Sequence, residues 1–268
     1  MTITEFSNEF DILYNGIASN SAPGIDLYEK SIYLTKAQLE IVNNYFNPRG
    51  NKYDRGFEAS SKRRADLREL IRPYISTVKS TILTTDDGIS ADSQFFRIPN
   101  DVYLIIQEKA RVNQEDVCGD EEIQIYIKVV PKTHDEFNTQ ENNPFKKPDA
   151  SVVWRVDMYS VPSKDDDLPG ETPIVIASPR KVVELISPYA INQYKFRYVK
   201  YPDPIVLVNL LTEYPYENLS IDGITGAQTC ALGENVHREI LNRAVEMAVS
   251  DYKPQELQHR VQINQRNE

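Results

Sequence analysis

Residues 3–17 read ITEFSNEFDILYNGI, with apolar side chains at Ile3, Phe6, Phe10, Leu13, Tyr14 and Ile17. Steps of three and four place them on one face of an α-helix. Thr2 with Glu5 forms a capping-box start, which satisfies N–H groups that the first turn leaves without partners. The turn formers of Ser19-Asn20-Ser21-Ala22-Pro23-Gly24 end this helix. A second helix start follows at Asp26 with Glu29, and a third at Thr35 with Gln38. Pro48 stops the run, because proline disfavours α geometry in the preceding Asn47. Residues 47–61 read as a polar loop, and Ser61–Ile71 resumes helix, ending before Pro73. Short helices are marginal alone. These must pack on one another, on the rest of the chain, or on another copy of it.

From about residue 75 the character changes. β-branched and aromatic residues predict strands at Gln94–Ile98, Val102–Val112, Ile123–Val130, Val152–Tyr159, Val182–Ile186, Gln193–Tyr201 and Ile205–Leu211. In the clearest, Tyr194, Phe196 and Tyr198 alternate with Lys195 and Arg197, as a sheet with one wet face requires. No repeated strand-then-helix alternation occurs, which disfavours a doubly wound nucleotide-binding fold. Near the end Val236, Ile240, Ala244 and Ala248 recur at spacing four, a helix that Pro254 stops.

The fold class that follows is α+β. An N-terminal helical bundle and a C-terminal helix flank an antiparallel β-sandwich or barrel-like domain with long loop insertions. Residues 1–73 with 234–252 form the helical domain. Residues 74–233 form the β domain, with projecting loops at 131–150 and 161–173. Residues 253–268 are almost wholly polar and make a flexible tail. Its apolar anchors are Leu257, Val261 and Ile263, the residues expected to bind a partner.

Composition limits the chemistry. The chain has 268 residues, 40% of them hydrophobic, and a net charge of −10. Broad phosphate binding needs neutralisation by Lys and Arg, so general nucleic-acid binding is disfavoured. The most basic spot is Lys62, Arg63, Arg64 and Arg68, either a solvated helix face or a contact for an acidic partner or passing DNA. Cys118 and Cys230 have neither disulfide-framework nor zinc spacing. No apolar run approaches the ~20 residues that span a bilayer, and the start does not read as a secretory signal. No phosphate-binding glycine loop and no G-x-S-x-G elbow occurs. His134, His237 and His259 are scattered. Asp86-Asp87-Gly88 and Asp165-Asp166-Asp167 lack the full calcium-loop pattern. No catalytic, cofactor or metal residue is assigned, and no enzyme is expected. Two alternatives stay open: a β-rich enzyme using the His134 or Asp165–Asp167 region, and a fibre-type or carbohydrate-binding β module.

Several stretches carry a family resemblance. Glu9–Asn15, Ala22–Ser31, Leu34–Gln38, Thr133–Asn138, Asn143–Pro148 and Leu232–Ala244 are similar to structural proteins of crAss-like tailed phages of gut Bacteroidales. The Leu-(Pro)-Glu…His-x-x-Ile opening of the last helix resembles that of head–tail connector proteins, although Gly233 stands where proline is usual. The resemblance implies a virion protein assembled in the host cytoplasm. It would be a head–tail connector or adaptor ring, a homo-oligomer commonly of twelve copies, between the portal and neighbouring ring or tail proteins. DNA would pass through without sequence-specific binding, and no membrane or cofactor would be involved. A tail tube, hub or fibre-type component is the alternative within the virion.

Overall fold

The computed structural model describes residues 1–17, 24–46, 61–77, 88–115, 122–141, 143, 145–149, 151–161 and 180–252. The chain forms two compact units. One takes both ends of the chain, Met1–Leu70 with Pro202–Glu268, and the other is Ile71–Tyr201.

The first unit is built on α1 (Ile3–Ile17), α2 (Leu27–Phe46) and α6 (Glu234–Tyr252), with the short α3 (Ser61–Asp66) and α5 (Leu210–Glu213). The capping box that opens α1 is present: Thr2 N donates to Glu5 Oε2 at 2.7 Å and Glu5 N to Thr2 Oγ1 at 3.2 Å. Phe6, Phe10 and Tyr14 of α1 are buried, as are Leu34, Ala37, Ile41 and Val42 of α2 and Val236, Ile240, Ala244 and Ala248 of α6. Lys30 Nζ meets Asp11 Oδ2 at 2.7 Å, and Arg243 grips Glu40 through two bonds of 2.6 and 2.9 Å. α2 is one helix of 20 residues, where the sequence suggested two starts. Thr35 is no cap; its hydroxyl is used elsewhere.

That use explains a second correction. The apolar run Ile205–Leu211 is not a strand of the sheet. It makes one isolated bridge, Val206 to Gln228, and then enters α5. Backbone groups of Ile205 and Leu207 bond to α2. Leu207 N donates to Ser31 Oγ at 3.0 Å. Ile205 N donates to Thr35 Oγ1 at 3.1 Å, and the same hydroxyl lies 3.2 Å from Ile205 O. Gln38 Nε2 donates to the Asp203 carbonyl at 2.8 Å. Positions 31, 35 and 38 share one helix face, so three side chains replace a neighbouring strand. Pro202 and Pro204 have no N–H and could not have joined a ladder there.

The second unit is a single mixed sheet of seven strands rather than a two-sheet sandwich. The strands are β1 (Ile71–Ser76), β2 (Ser93–Ile98), β3 (Val102–Glu115), β4 (Glu122–Pro131), β5 (Val152–Val161), β6 (Arg180–Ile186) and β7 (Ile191–Lys200). Their order is β1-β7-β3-β4-β5-β6-β2. The two edge strands meet where Ser76 Oγ donates to the Arg97 carbonyl at 2.7 Å, so the sheet curls in a barrel-like way. All pairs are antiparallel except β4 with β5. A parallel pair needs a crossover, and the region expected to be a projecting loop at 131–150 supplies one. It holds α4 (His134–Gln140), capped by Thr133 and Glu136, with Phe137 packed edge-on against Trp154. Of the other expected loop, 162–173 lies outside the described residues. β1 is a further correction: the sequence carries helix through Ile71, but the helix ends as α3 and a 3-10 turn, Arg68–Leu70, and Ile71 opens the strand. Pro73 is tolerated in β1 because β1 is an edge strand. Inside the curled sheet lie Phe96, Val112, Val129, Val153, Leu185, Tyr194, Phe196 and Tyr198.

Thr35→Val keeps the shape of the side chain and removes both bonds to Ile205. It should lower the unfolding free energy by about 2 kcal/mol, the cost of stranding buried backbone groups, as measured by urea unfolding of the full chain.

Candidate assembly surfaces

Among the described residues no three His, Cys, Asp or Glu side chains gather where they could hold a metal ion. The residues singled out in the sequence are scattered. His134 is exposed at the start of α4, and His259 lies outside the described residues. So do Cys118, Asp86, Asp87 and Asp165–Asp167. Gly88 is described. A Cβ there would collide with the side chain of Ser93 and the carboxylate of Glu184. Glu184 is fully buried and accepts from Ser93 Oγ at 2.5 Å and Ile89 N at 2.9 Å. Cys230 donates to Gln38 Oε1 at 3.1 Å, and burial pushes its thiol up to about 11. It remains a thiol rather than a nucleophilic thiolate near neutral pH.

His237 is buried on α6. Its ring lies 5.3 Å from that of Phe6, its Nε2 is 3.0 Å from the Leu232 carbonyl oxygen, and its Nδ1 is 2.7 Å from the Met1 amine. An ammonium can only donate, so Nδ1 accepts and Nε2 carries the proton. Burial holds the imidazole below its usual range, and the neighbouring amine adds to the effect.

The polar cluster inside the curled sheet joins three strands. Glu108 Oε2 of β3 accepts from Arg155 Nε of β5 at 2.8 Å and from the Tyr194 hydroxyl of β7 at 2.7 Å. Burial, and then the Glu108 charge, hold the Tyr194 phenol well above its usual range. That proton stays in place at neutral pH, so the hydroxyl serves as a donor that fixes the carboxylate.

The surfaces are more distinctive than the interior. The basic spot on α3 is partly engaged within its own unit: Lys62 lies 4.0 Å from Glu239, and Arg63 stacks over the Tyr45 ring at 5.4 Å. Phe145 is 95% exposed and Tyr216 is 96% exposed. The sheet face missed in the sequence is larger. Register places Ile75, Lys195, Lys109 and Lys128 in one transverse row across β1, β7, β3 and β4. Arg197 and Arg111 share that face, Arg111 lying 5.9 Å over the Tyr126 ring. Lys109, Lys128, Lys195 and Arg197 are exposed. The same-face positions from Gln107 to Asn113, Gln124 to Val130 and Gln193 to Val199 hold no carboxylate. No single strand spells this out. Only the cross-strand register brings the lysines together. The partner-binding residues expected from sequence, Leu257, Val261 and Ile263, lie outside the described residues.

Two outcomes follow from the interior. Arg155→Met should cost about 3–5 kcal/mol because it leaves the buried Glu108 charge without its cation, the Tyr194 hydroxyl alone remaining as donor. Adding Glu108→Gln should recover most of that loss, and a double-mutant cycle by urea unfolding checks both. For His237, the unfolded imidazole binds a proton near pH 6.5 that the folded site resists. Its contribution is therefore complete above that pH and is lost as pH falls toward the folded value. Unfolding free energy should decline from pH 7 to pH 5, and His237→Gln should make that decline shallower.

Residues 1–259 match the family described as phage tail ring protein 3/4. The chain is similar to "Ring protein 4/5" of Bacteroides phage crAss001, with 37% identity over the full length of both chains. It is also similar to "Ring protein 3" of the same phage, with 33% identity over 93% of this chain and 95% of that one. The chain therefore belongs to the phage tail ring protein 3/4 family and is a ring-type structural protein of a virion.

Proposed function

We propose that the chain assembles into a closed homo-oligomeric ring, a dodecamer, in the head–tail connector between portal and tail. The observation that carries this reading is the likeness, over nine-tenths or more of the chain, to two ring proteins of one phage. Two rings of related sequence in one particle fit a stack, in which each ring meets an unlike neighbour as well as its own copies. The net charge of −10 suits a channel wall along which DNA slides without adhering, since like charges disfavour sticking. The polar tail at 253–268 suits docking on the portal or an adjacent ring, ordering as it binds. Leu257, Val261 and Ile263 are its apolar anchors. Assembly takes place in the host cytoplasm.

Cryo-microscopy of purified virions tests this directly. Twelve copies around the DNA path, between portal and tail, are expected. A chain found in a fibre, or absent from the particle, would overturn the reading. Replacing Leu257, Val261 and Ile263 together by Asp should leave ring formation intact and abolish docking to the adjacent ring or portal, as read by co-purification.

A further inference from the structure

Two aromatic side chains stand out on the surface, each on a turn that is firmly built. Tyr216 follows α5 and is 96% exposed. The backbone that carries it is pinned throughout. Asn209 caps α5, its Oδ1 accepting from Leu211 N at 3.1 Å. Leu210 N donates to the Thr225 carbonyl at 2.9 Å, Glu217 N donates to the Tyr214 carbonyl at 3.2 Å, and the Tyr214 hydroxyl bonds to the Asp26 carboxylate. Val206, Leu210 and Ile221 form the small core beneath. What this turn displays outward is Leu211, 55% exposed, and Tyr216. Glu213 and Glu217 are exposed beside them. No Lys or Arg occurs from 201 to 237, so the sequence around this tip is acidic.

The second is Phe145, 95% exposed, in the crossover between α4 and β5. Asn143 organises its turn. The Asn143 Oδ1 accepts from Phe145 N at 3.0 Å, and the Asn143 carbonyl accepts from Lys146 N and Lys147 N, both at 3.1 Å. The Lys146 and Lys147 side chains are exposed next to the phenyl group. Asp149, two residues on, turns its carboxylate to its own backbone, accepting from Ser151 N at 2.7 Å and Val152 N at 3.1 Å.

The two tips match in kind. Each offers one large aromatic group, one with acids beside it and the other with cations. Tyrosine and phenylalanine are enriched at protein contacts, and aromatic anchors there carry a large share of the binding energy. Opposite charges around such an anchor fix orientation and reject wrong partners. The two patches differ, so each copy can offer one tip and accept the other. Heterologous contacts of that kind generate rings when the rotation closes.

We propose that the Tyr216 turn of one copy docks on the Phe145 turn of the next, with Glu213 and Glu217 facing Lys146 and Lys147. This rests on the ring reading above and assigns its subunit contact.

Sedimentation and native mass spectrometry of the full chain test it. Phe145→Ala and Tyr216→Ala should each weaken self-association at least tenfold. A mixture of those two variants keeps one intact pair of tips, so it should form mixed dimers that neither variant forms alone. Lys146→Glu with Lys147→Glu should also weaken association at least tenfold, and adding Glu213→Lys with Glu217→Lys should restore it. Each substitution lies on the surface, so Tm of the dissociated chain should stay within about 2 °C. A fall of several degrees in the Ala variants would show the aromatic group packed within its own chain and would overturn the proposal. Unchanged self-association in the charge-reversed variant, with rings intact in virions, would overturn this contact and leave the ring reading standing. An unaltered chain that stays monomeric at millimolar concentration would overturn it too, while rings seen in virions would keep the broader reading. Loss of co-purification with an unlike ring protein, self-association being unmoved, would assign the tips to that neighbour instead.

Discussion

Much of this fold depends on three side chains of one helix. Ser31, Thr35 and Gln38 of α2 take the hydrogen bonds of the backbone from Asp203 to Leu207. The chain leaves the first unit at residue 70 and returns at 202. On its return it is an apolar run with Ile205 and Val206 fully buried. Buried backbone without partners costs about 1–3 kcal/mol per group. A returning strand would ordinarily seek a sheet edge. Here the helix supplies the partners, so the run is captured beside α2 and the chain is delivered to α6. This capture joins the two separated pieces of the helical unit, together with the packing of α6 on α1 and α2 and the Arg243–Glu40 pair.

The inserted unit meets the matching condition. The chain enters it through β1 and leaves it through β7, and those two strands pair along Ile71–Ser76 and Tyr194–Val199. An excursion of 131 residues therefore begins and ends side by side. Within it, the Glu108–Arg155–Tyr194 cluster ties β3, β5 and β7 from the inside. Such a buried ion pair adds little net stability over a hydrophobic trio. Its effect is on register: a one-residue slip would carry a charge into apolar surroundings.

The sequence was most legible where one element's own periodicity decides the outcome. The buried stripe of α1, the alternation of Tyr194, Phe196 and Tyr198, and the spacing of four in α6 all stand where the pattern puts them. It misled where a residue acts on a distant segment. Thr35 resembled a helix cap because Gln38 follows three residues later, yet both reach across to residues 203–205. Thr133 with Glu136 is the same signature as Thr2 with Glu5, and there it does open a helix. A short run after β4 hid it, although the parallel pairing of β4 with β5 required a crossover. The basic face was legible only in part: alternation puts Lys195 and Arg197 on the wet side of β7, but Lys109 and Lys128 belong to other strands. Register is set by the whole sheet, not by the residues that come to face one another.

These points bear on function in one way. A discontinuous helical unit and a curled sheet with an exposed row of lysines suit a building part that meets other molecules across its surfaces. Membership of a ring-protein family points to those molecules: copies of the same chain and other ring proteins of the phage. Native mass spectrometry of the complexes that hold this chain, released from virions, tests this most directly. The account predicts a species whose mass is a whole multiple of the chain, with every copy equivalent. Release of the chain as a monomer, or in complexes holding a single copy, would contradict it.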